Sequence, residues 1–229
     1  MTKYKIFLLS ISSVFWIWAA INPTYPHDWV LENILVFIAV PLIVILGRYL
    51  KLSETSYTLI TIFMILHVIG SHYTYAEVPF GDTLKTWFGE DRNMYDRLVH
   101  FCFGLLLAYP VREVFMRLSD AKGFWSYYFP IDLVGASSAA YEIMEWLTAR
   151  TVDPVAGLAF LGSQGDIWDA QKDMLMAILG SVLAMIIVFI LNSIFNKDHI
   201  KEVKESLKIK KGDKPLGEER LAEYFKKNK

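Results

Sequence analysis

Phe160-Leu-Gly-Ser-Gln-Gly-Asp-Ile-Trp-Asp-Ala-Gln-Lys-Asp-Met174 leads straight into an apolar run that lasts to Phe195. At about 1.5 Å per residue that run crosses about 30 Å of hydrocarbon, so it reads as a membrane-spanning helix. At its mouth Asp166, Asp169 and Asp173 stand three and then four residues apart, which stacks them along one helix face. An unpaired carboxylate is costly there. The strip calls for a partner: a metal ion, a proton relay or basic side chains.

The rest of the chain has the same character. Of 229 residues 54% are hydrophobic and 15% aromatic, with a formal charge of -1, which argues against both a disordered chain and a nucleic-acid surface. The charges are unevenly placed, since eleven of the 23 Lys and Arg lie in residues 197–229. The reading is an all-α polytopic membrane protein. A bundle of about six transmembrane helices occupies residues 1–196, and a short, charged, soluble C-terminal tail follows over 197–229. The spans fall at roughly 5–21, 31–50, 56–73, 97–116, 124–147 and 173–195. Trp16 and Trp18 make a poor signal-cleavage region, so the first span is expected to stay attached. Asn22-Pro-Thr-Tyr-Pro26 ends it, and Pro41 should kink the second. The fifth span carries Asp132 and a small-residue patch, Gly135-Ala-Ser-Ser-Ala-Ala140, that lets a neighbouring helix approach closely. Residues 72–96 form the longest outer segment, with Trp87-Phe88 as an interfacial anchor, and 217–225 suit one short amphipathic helix. Cys102, the single cysteine, excludes an intrachain disulfide and reads as a packing residue.

Lys3 and Lys5, Arg48 and Lys51, Arg112, Arg117 and Lys122, and the tail all fall on one side of six spans. Positive charge concentrates in cytoplasmic loops, which puts both termini in the cytoplasm of a bacterium, with the chain in its inner membrane. The unusual residues then meet at the other leaflet. Span three ends in His67-Val-Ile-Gly-Ser-His72, and span four begins Tyr95-Asp96-Arg97-Leu-Val-His100. Span five ends in Tyr141-Glu142-Ile-Met-Glu145, and span six begins with the acidic strip. Asp96 and His100 share a helix face, as do Glu142 and Glu145. His67 and His72 are five apart and point about 140° from each other, so Gly70 must break the helix if both turn inward. Imidazoles with carboxylates suit zinc or manganese, and an all-oxygen subset suits magnesium. His67, His100, Glu142, Asp173, Asp166 and His72 are the candidate ligands, with Glu145, Asp169 and Asp96 as acid–base residues.

Each residue also has a plainer role. An intramembrane histidine commonly serves as an interhelical hydrogen-bonding group. Asp96 beside Arg97 and Asp169 beside Lys172 suit interfacial charge pairs, and Asp166 suits a helix N-cap. His27 and His199 read as solvated loop and tail residues. What favours a site is the gathering of so many ionisable groups at one leaflet.

At these residues the chain resembles the uncharacterised bacterial inner-membrane protein family typified by YjdF. The likeness spans roughly 10–195 and rests on His67-Val-Ile-Gly-Ser-His-Tyr-Thr-Tyr75, Tyr95-Asp-Arg-Leu-Val-His-Phe101, Tyr141-Glu-Ile-Met-Glu-Trp146 and the stretch 160–174. It implies an integral membrane protein and carries no activity with it. Asp96-Arg97-Leu-Val-His100, Glu142-Ile-Met-Glu145 and Asp173 before Gly180 are also similar to motifs of VanZ-like membrane proteins, with Arg97 in place of lysine and Glu145 in place of glutamine. The functional expectation is an outer-leaflet site for metal-assisted hydrolysis or group transfer on a membrane lipid or other envelope substrate. A proton- or cation-coupled transporter or channel is the alternative, its path extended by Asp132, and a structural scaffold is the third.

Overall fold

In the computed structural model, which describes residues 2–152, 157, 161–208 and 218–227, six long helices run alternately up and down. They are α1 (Lys3–Ala19), α2 (Pro26–Leu50), α3 (Glu54–Tyr73), α5 (Tyr95–Leu118), α6 (Trp125–Ala149) and α7 (Asp169–Phe195). A 3₁₀ turn, Tyr75–Glu77, and the short α4 (Pro79–Phe88) lie between α3 and α5, while α8 (His199–Ser206) and α9 (Glu218–Lys227) follow α7. Phe160 and residues 209–217 of the tail lie outside the described set. A helix covers each of the six expected segments, within a few residues at its ends. Four helices, α2, α3, α5 and α7, are long and apolar enough to cross a membrane on length and composition alone. The remaining two miss on simple grounds: α1 has 17 residues, and α6 carries Asp132, Glu142 and Glu145. The bundle's outside is aliphatic, with Ile178, Leu179, Ile186, Ile187 and Ile190 of α7 all exposed, a surface suited to hydrocarbon rather than water.

The sequence sets the helix ends. Thr2 and Ser53 cap α1 and α3 by accepting from the N–H groups of Lys5 and Ser56. Lys51 and Thr74 stop α2 and α3 in the left-handed region, and Gly89 does the same for α4, which Pro79 starts. The α4 turn was not foreseen in the long outer segment; it leaves Trp87 and Phe88 exposed at its end, as an anchor requires.

The closest packing is between α5 and α7, with α6 laid against both, α3 against α5 and α1 against α3. A Cβ on Gly104 would run into the backbone of Ala177 and Ser181, and one on Gly180 into the backbone of Phe101 and Leu105. Ala108, Ala177 and Ala184 line the same seam, wholly or almost wholly buried. The small patch on α6 is less tightly used, since a Cβ on Gly135 would meet Ile178 at 3.4 Å, near ordinary contact.

At the opposite end from the acidic strip, Glu113 accepts from Ser53 N–H and Ser56 Oγ at 2.9 and 2.7 Å, and Arg112 lies over the Tyr127 ring. Here one expectation fails. His199 is buried, not solvated: its Nε2 is 3.0 Å from Tyr127 Oη, with Phe189 packed against the ring. Ser206 then accepts from Phe124 N–H and Trp125 Nε1, so α8 lies on the start of α6 instead of trailing into solvent.

Because backbone has no way to yield, Gly180→Val is expected to lower stability by at least about 2 kcal/mol through overpacking, whereas Gly135→Ala should change it by less than about 0.5 kcal/mol. Thermal unfolding of the two purified variants in detergent measures this, and equal effects would contradict the assigned seam.

Candidate functional site

The acidic strip finds basic partners. Arg97, in the first turn of α5, reaches across the α5–α7 seam with Nη1 2.5 Å from Asp173 Oδ2 and Nη2 2.8 Å from Asp169 Oδ1 and 3.1 Å from Asp166 Oδ2. Its Nη1 also donates to the Asp169 carbonyl at 2.9 Å. Arg92 pairs with Asp169 and stands 3.8 Å from Asp96. Lys172 closes the outer edge on Asp166 at 2.6 Å. The pairings differ from those of sequence neighbours: Arg97 takes the strip rather than Asp96, and Lys172 takes Asp166 rather than Asp169. Asp166 does accept the Trp168 N–H at 3.0 Å just ahead of α7, and the Lys172 and Trp168 hydrogen bonds hold its carboxyl below the usual range.

A loop clasp places Arg92. Gln164, at positive φ, accepts from Asn93 N–H at 2.8 Å and donates to Asn93 O at 3.2 Å, while Asn93 Nδ2 holds Val78 O and Asp82. The Gly-Ser-Gln-Gly-Asp segment is thus a buckle between the loop before α5 and the start of α7.

Inside the arginine layer lies a second group. His100 Nε2 is 3.6 Å from Asp96 Oδ1 and 3.5 Å from Glu142 Oε1. One ligand atom each from Asp96, His100 and Asp173 fall within 4.8 Å of one another, so a common point lies about 3 Å or less from all three, near the metal–ligand range of about 2.0–2.6 Å. Asp173 is 2% exposed, and its Oδ1 has no hydrogen-bond partner; Glu142 Oε1 is buried and also lacks one. Buried carboxylate oxygens normally have partners, so these two are unmet demands for a cation or donor.

The remaining candidates sit elsewhere. His67 has both ring nitrogens engaged: Nε2 faces Glu32 O at 3.3 Å, and Nδ1 faces Tyr75 Oη at 2.6 Å. A carbonyl only accepts, so Nε2 carries a proton, and in the neutral ring Nδ1 accepts from the Tyr75 hydroxyl. Burial pushes the Tyr75 phenol well above its usual pKa, keeping it a donor. His72 turns away, its Nδ1 3.1 Å from Ala19 O and its ring against Trp18. Gly70 does not break α3, which runs unbroken to Tyr73; its missing side chain leaves room for the Tyr75 ring. Asp169 is committed to the arginines. Glu145 lines a cavity with Glu32, Tyr141 and Asp96, and Tyr141 Oη donates to Glu32 Oε2 at 3.1 Å.

Arg92, Glu32, Tyr75 and Tyr141 were not singled out in the sequence. Glu32 was findable, as an acid two residues into an apolar run. Tyr75 and Tyr141 lay inside quoted motifs but carried no spacing signal.

The family model described as "Predicted membrane protein (DUF2238)" matches residues 4–193. The chain belongs to this family. It is also 40% identical over 164 residues to "Inner membrane protein YjdF" of Escherichia coli (strain K12), covering 70% of this chain and 78% of that one. No solved structure matches. The chain is therefore a membrane protein of an uncharacterised family, with several apolar helices and an inner-membrane relative.

Removing Arg97 would leave Asp169 and Asp173 under-compensated in the interior. Arg97→Met is expected to cost about 3–5 kcal/mol, and Arg97→Lys to recover less than half, because one ammonium cannot replace a fork that spans three acids. Thermal melts in detergent decide, and full recovery by lysine would show that charge alone matters.

Proposed function

We propose that the Asp96, His100 and Asp173 group binds one divalent metal ion and that the site performs metal-assisted hydrolysis or group transfer on a lipid or envelope substrate. The observation that carries this is the unpartnered, buried Oδ1 of Asp173, a residue grouped with His100 and Asp96, while Glu142 reaches the same imidazole. A mixed nitrogen and oxygen donor set favours zinc or manganese over magnesium. The ion supplies an acidified water. Glu142, whose unpartnered Oε1 lies 3.5 Å from His100 Nε2, would take up the proton of such a water and pass it to the leaving group. Asp169 leaves the acid–base role expected of it and serves with Arg92 and Arg97 to hold Asp173 in place. His67 becomes a neutral hydrogen-bonding residue of the cavity rather than a ligand.

The distribution of positive charge supports an orientation with both termini in the cytoplasm of a bacterial inner membrane and the site at the outer leaflet. A proton or cation path is less well supported. Asp132 is exposed on α6 and does not line the cavity, whose deeper half is apolar. A scaffold accounts for the arginine layer but leaves the two free carboxylate oxygens without purpose.

Metal analysis of the purified protein is expected to find close to one equivalent of transition metal. His100→Ala and Asp173→Asn should each lower it at least tenfold, whereas His67→Ala and His72→Ala should retain it. A metal-free wild type, or equal loss in all four variants, would overturn the proposal.

A further inference from the structure

Between α2, α3, α5 and α6 lies a cavity of about 450 Å³, within the usual range of small-molecule sites. Its lining on α5 runs from Asp96 to Val114, and its two ends differ in kind. One end is acidic: Glu32, Asp96 and Glu145 line it, and all three carboxylates act on the Tyr75 phenol beside them. Below them Leu42, Leu46, Phe103, Leu107, Val111 and Val114 form an apolar bore. Ile38 and Leu42 line that bore while remaining 60% and 51% exposed, so it borders the hydrocarbon around the bundle. No lysine or arginine lines the cavity among the described residues.

Asp96 has Arg92 and His100 nearby. Glu32 and Glu145 have no such partner: among the described residues no Lys, Arg or His forms an ion pair with either, and Glu32 is only 7% exposed. What the two acids share is one hydroxyl. Tyr141 donates to Glu32 Oε2 at 3.1 Å and is within hydrogen-bonding reach of Glu145, four residues on along the same face of α6. One O–H serves one acceptor. Other donors at this end are spent, Tyr75 on His67, His67 on the Glu32 carbonyl and Thr74 on Asp28. Two acids, from α2 and α6, thus meet with one donor and no counter-charge, where a carboxylate without a cation is costly.

That deficit has a definite chemistry. A primary ammonium brings one positive charge and three N–H donors, enough for Glu32, Glu145 and the lone pairs that the Tyr141 oxygen leaves open. A phosphate or carboxylate head would add negative charge to an acidic end, and an alcohol would bring no charge. The group attached to the ammonium runs into the apolar bore, where a phosphate would have no base to pair with.

We infer that the cavity binds a long-chain primary amine, its ammonium between Glu32, Tyr141 and Glu145 and its alkyl chain in the bore. This goes beyond the metal-site reading and does not rest on it, since neither glutamate belongs to the proposed metal group. Isothermal titration of the purified full-length protein in a nonionic detergent, against a protein-free micelle blank, compares dodecylammonium, dodecanol and lysophosphatidylethanolamine.

Dodecylammonium is expected to bind about tenfold more tightly than dodecanol, or about 1.4 kcal/mol, the scale of one hydrogen bond to a charged group. Glu32→Gln and Glu145→Gln should each remove most of that preference and leave dodecanol affinity unchanged, and either variant decides should the other fail to fold. Ala39→Trp, which fills the bore, should weaken both ligands at least tenfold, and Leu107→Trp serves the same purpose. Lysophosphatidylethanolamine, whose amine lies beyond a phosphate, should bind less tightly than dodecylammonium. Equal affinity for the amine and the alcohol overturns the inference, as does a preference undiminished in both glutamine variants, one lost in EDTA, or tighter binding of the lysophospholipid. An amine preference in a protein found free of metal would overturn the metal reading alone and leave the amine site standing.

Discussion

Two helices meeting backbone to backbone hold everything else in this bundle in register. Gly104 and Gly180 let α5 and α7 approach until a methyl group on either would strike the other's main chain. Lipid tails are as apolar as leucine, so such contacts rest on packing and polar pairing rather than on exclusion of water. The close approach then sets a distance that chemistry uses. Arg97, about two turns from Gly104, can reach Asp166, Asp169 and Asp173 together only because the two backbones converge below it.

Charge balance at the seam explains why one acid remains available. Arg92 and Arg97 face Asp96, Asp166, Asp169 and Asp173, and Lys172 contributes only at the outer rim, on Asp166. Asp169 receives both guanidinium groups. Asp173 receives one, through a single oxygen, and its other oxygen is buried without a hydrogen-bond partner in a residue grouped with His100 and Asp96. Glu142 approaches the same imidazole from α6 with its own free oxygen. The arginine layer therefore neutralises the strip at its outer end and stops short at its inner end. A scaffold alone would gain by completing the pairing, since a buried carboxylate oxygen without a donor is a direct cost.

The spans were legible in the sequence because a hydrocarbon slab imposes length and polarity on every segment that crosses it, and that constraint acts locally. The acidic strip and the Asp96 and His100 pair were legible for a related reason: charges are rare where the slab forbids them, and helical spacing puts them on one face. Partner choice was not legible. Arg97 stands next to Asp96 in the chain yet turns to α7, because adjacent residues on a helix point about 100° apart. For His67 and His72 the spacing of five already gave divergent directions unless Gly70 broke the helix; the unbroken helix sends one towards Tyr75 and Glu32 and the other to α1, partners that spacing does not name. His199 followed a polar break and looked solvated, but the chain folds back so that its ring packs against Phe189 and its Nε2 meets the Tyr127 hydroxyl, a contact made across 72 residues. Each of these depends on helix phase and on long-range closure, which composition does not encode.

The position of α2 makes the cavity intelligible. The other long helices pack closely on one another, while α2 packs only lightly, along α3, and meets α6 at the site end through the Tyr141 to Glu32 hydrogen bond. Its first turns are tied down: Asn33 accepts from Trp16 Nε1 at 2.7 Å and donates to Trp29 O, and Asp28 accepts from Thr74. Farther along, Ile38, Leu42 and Ile45 are exposed and no side-chain hydrogen bond is recorded for α2 between Asn33 and Leu50 among the described residues. A helix pinned by polar groups at one end is held beyond them by apolar contact alone, so the specific contacts of α2 sit at the head of the cavity. Apolar contact costs little to exchange for lipid contact, whereas the buried hydrogen bonds at the head have no equivalent in hydrocarbon.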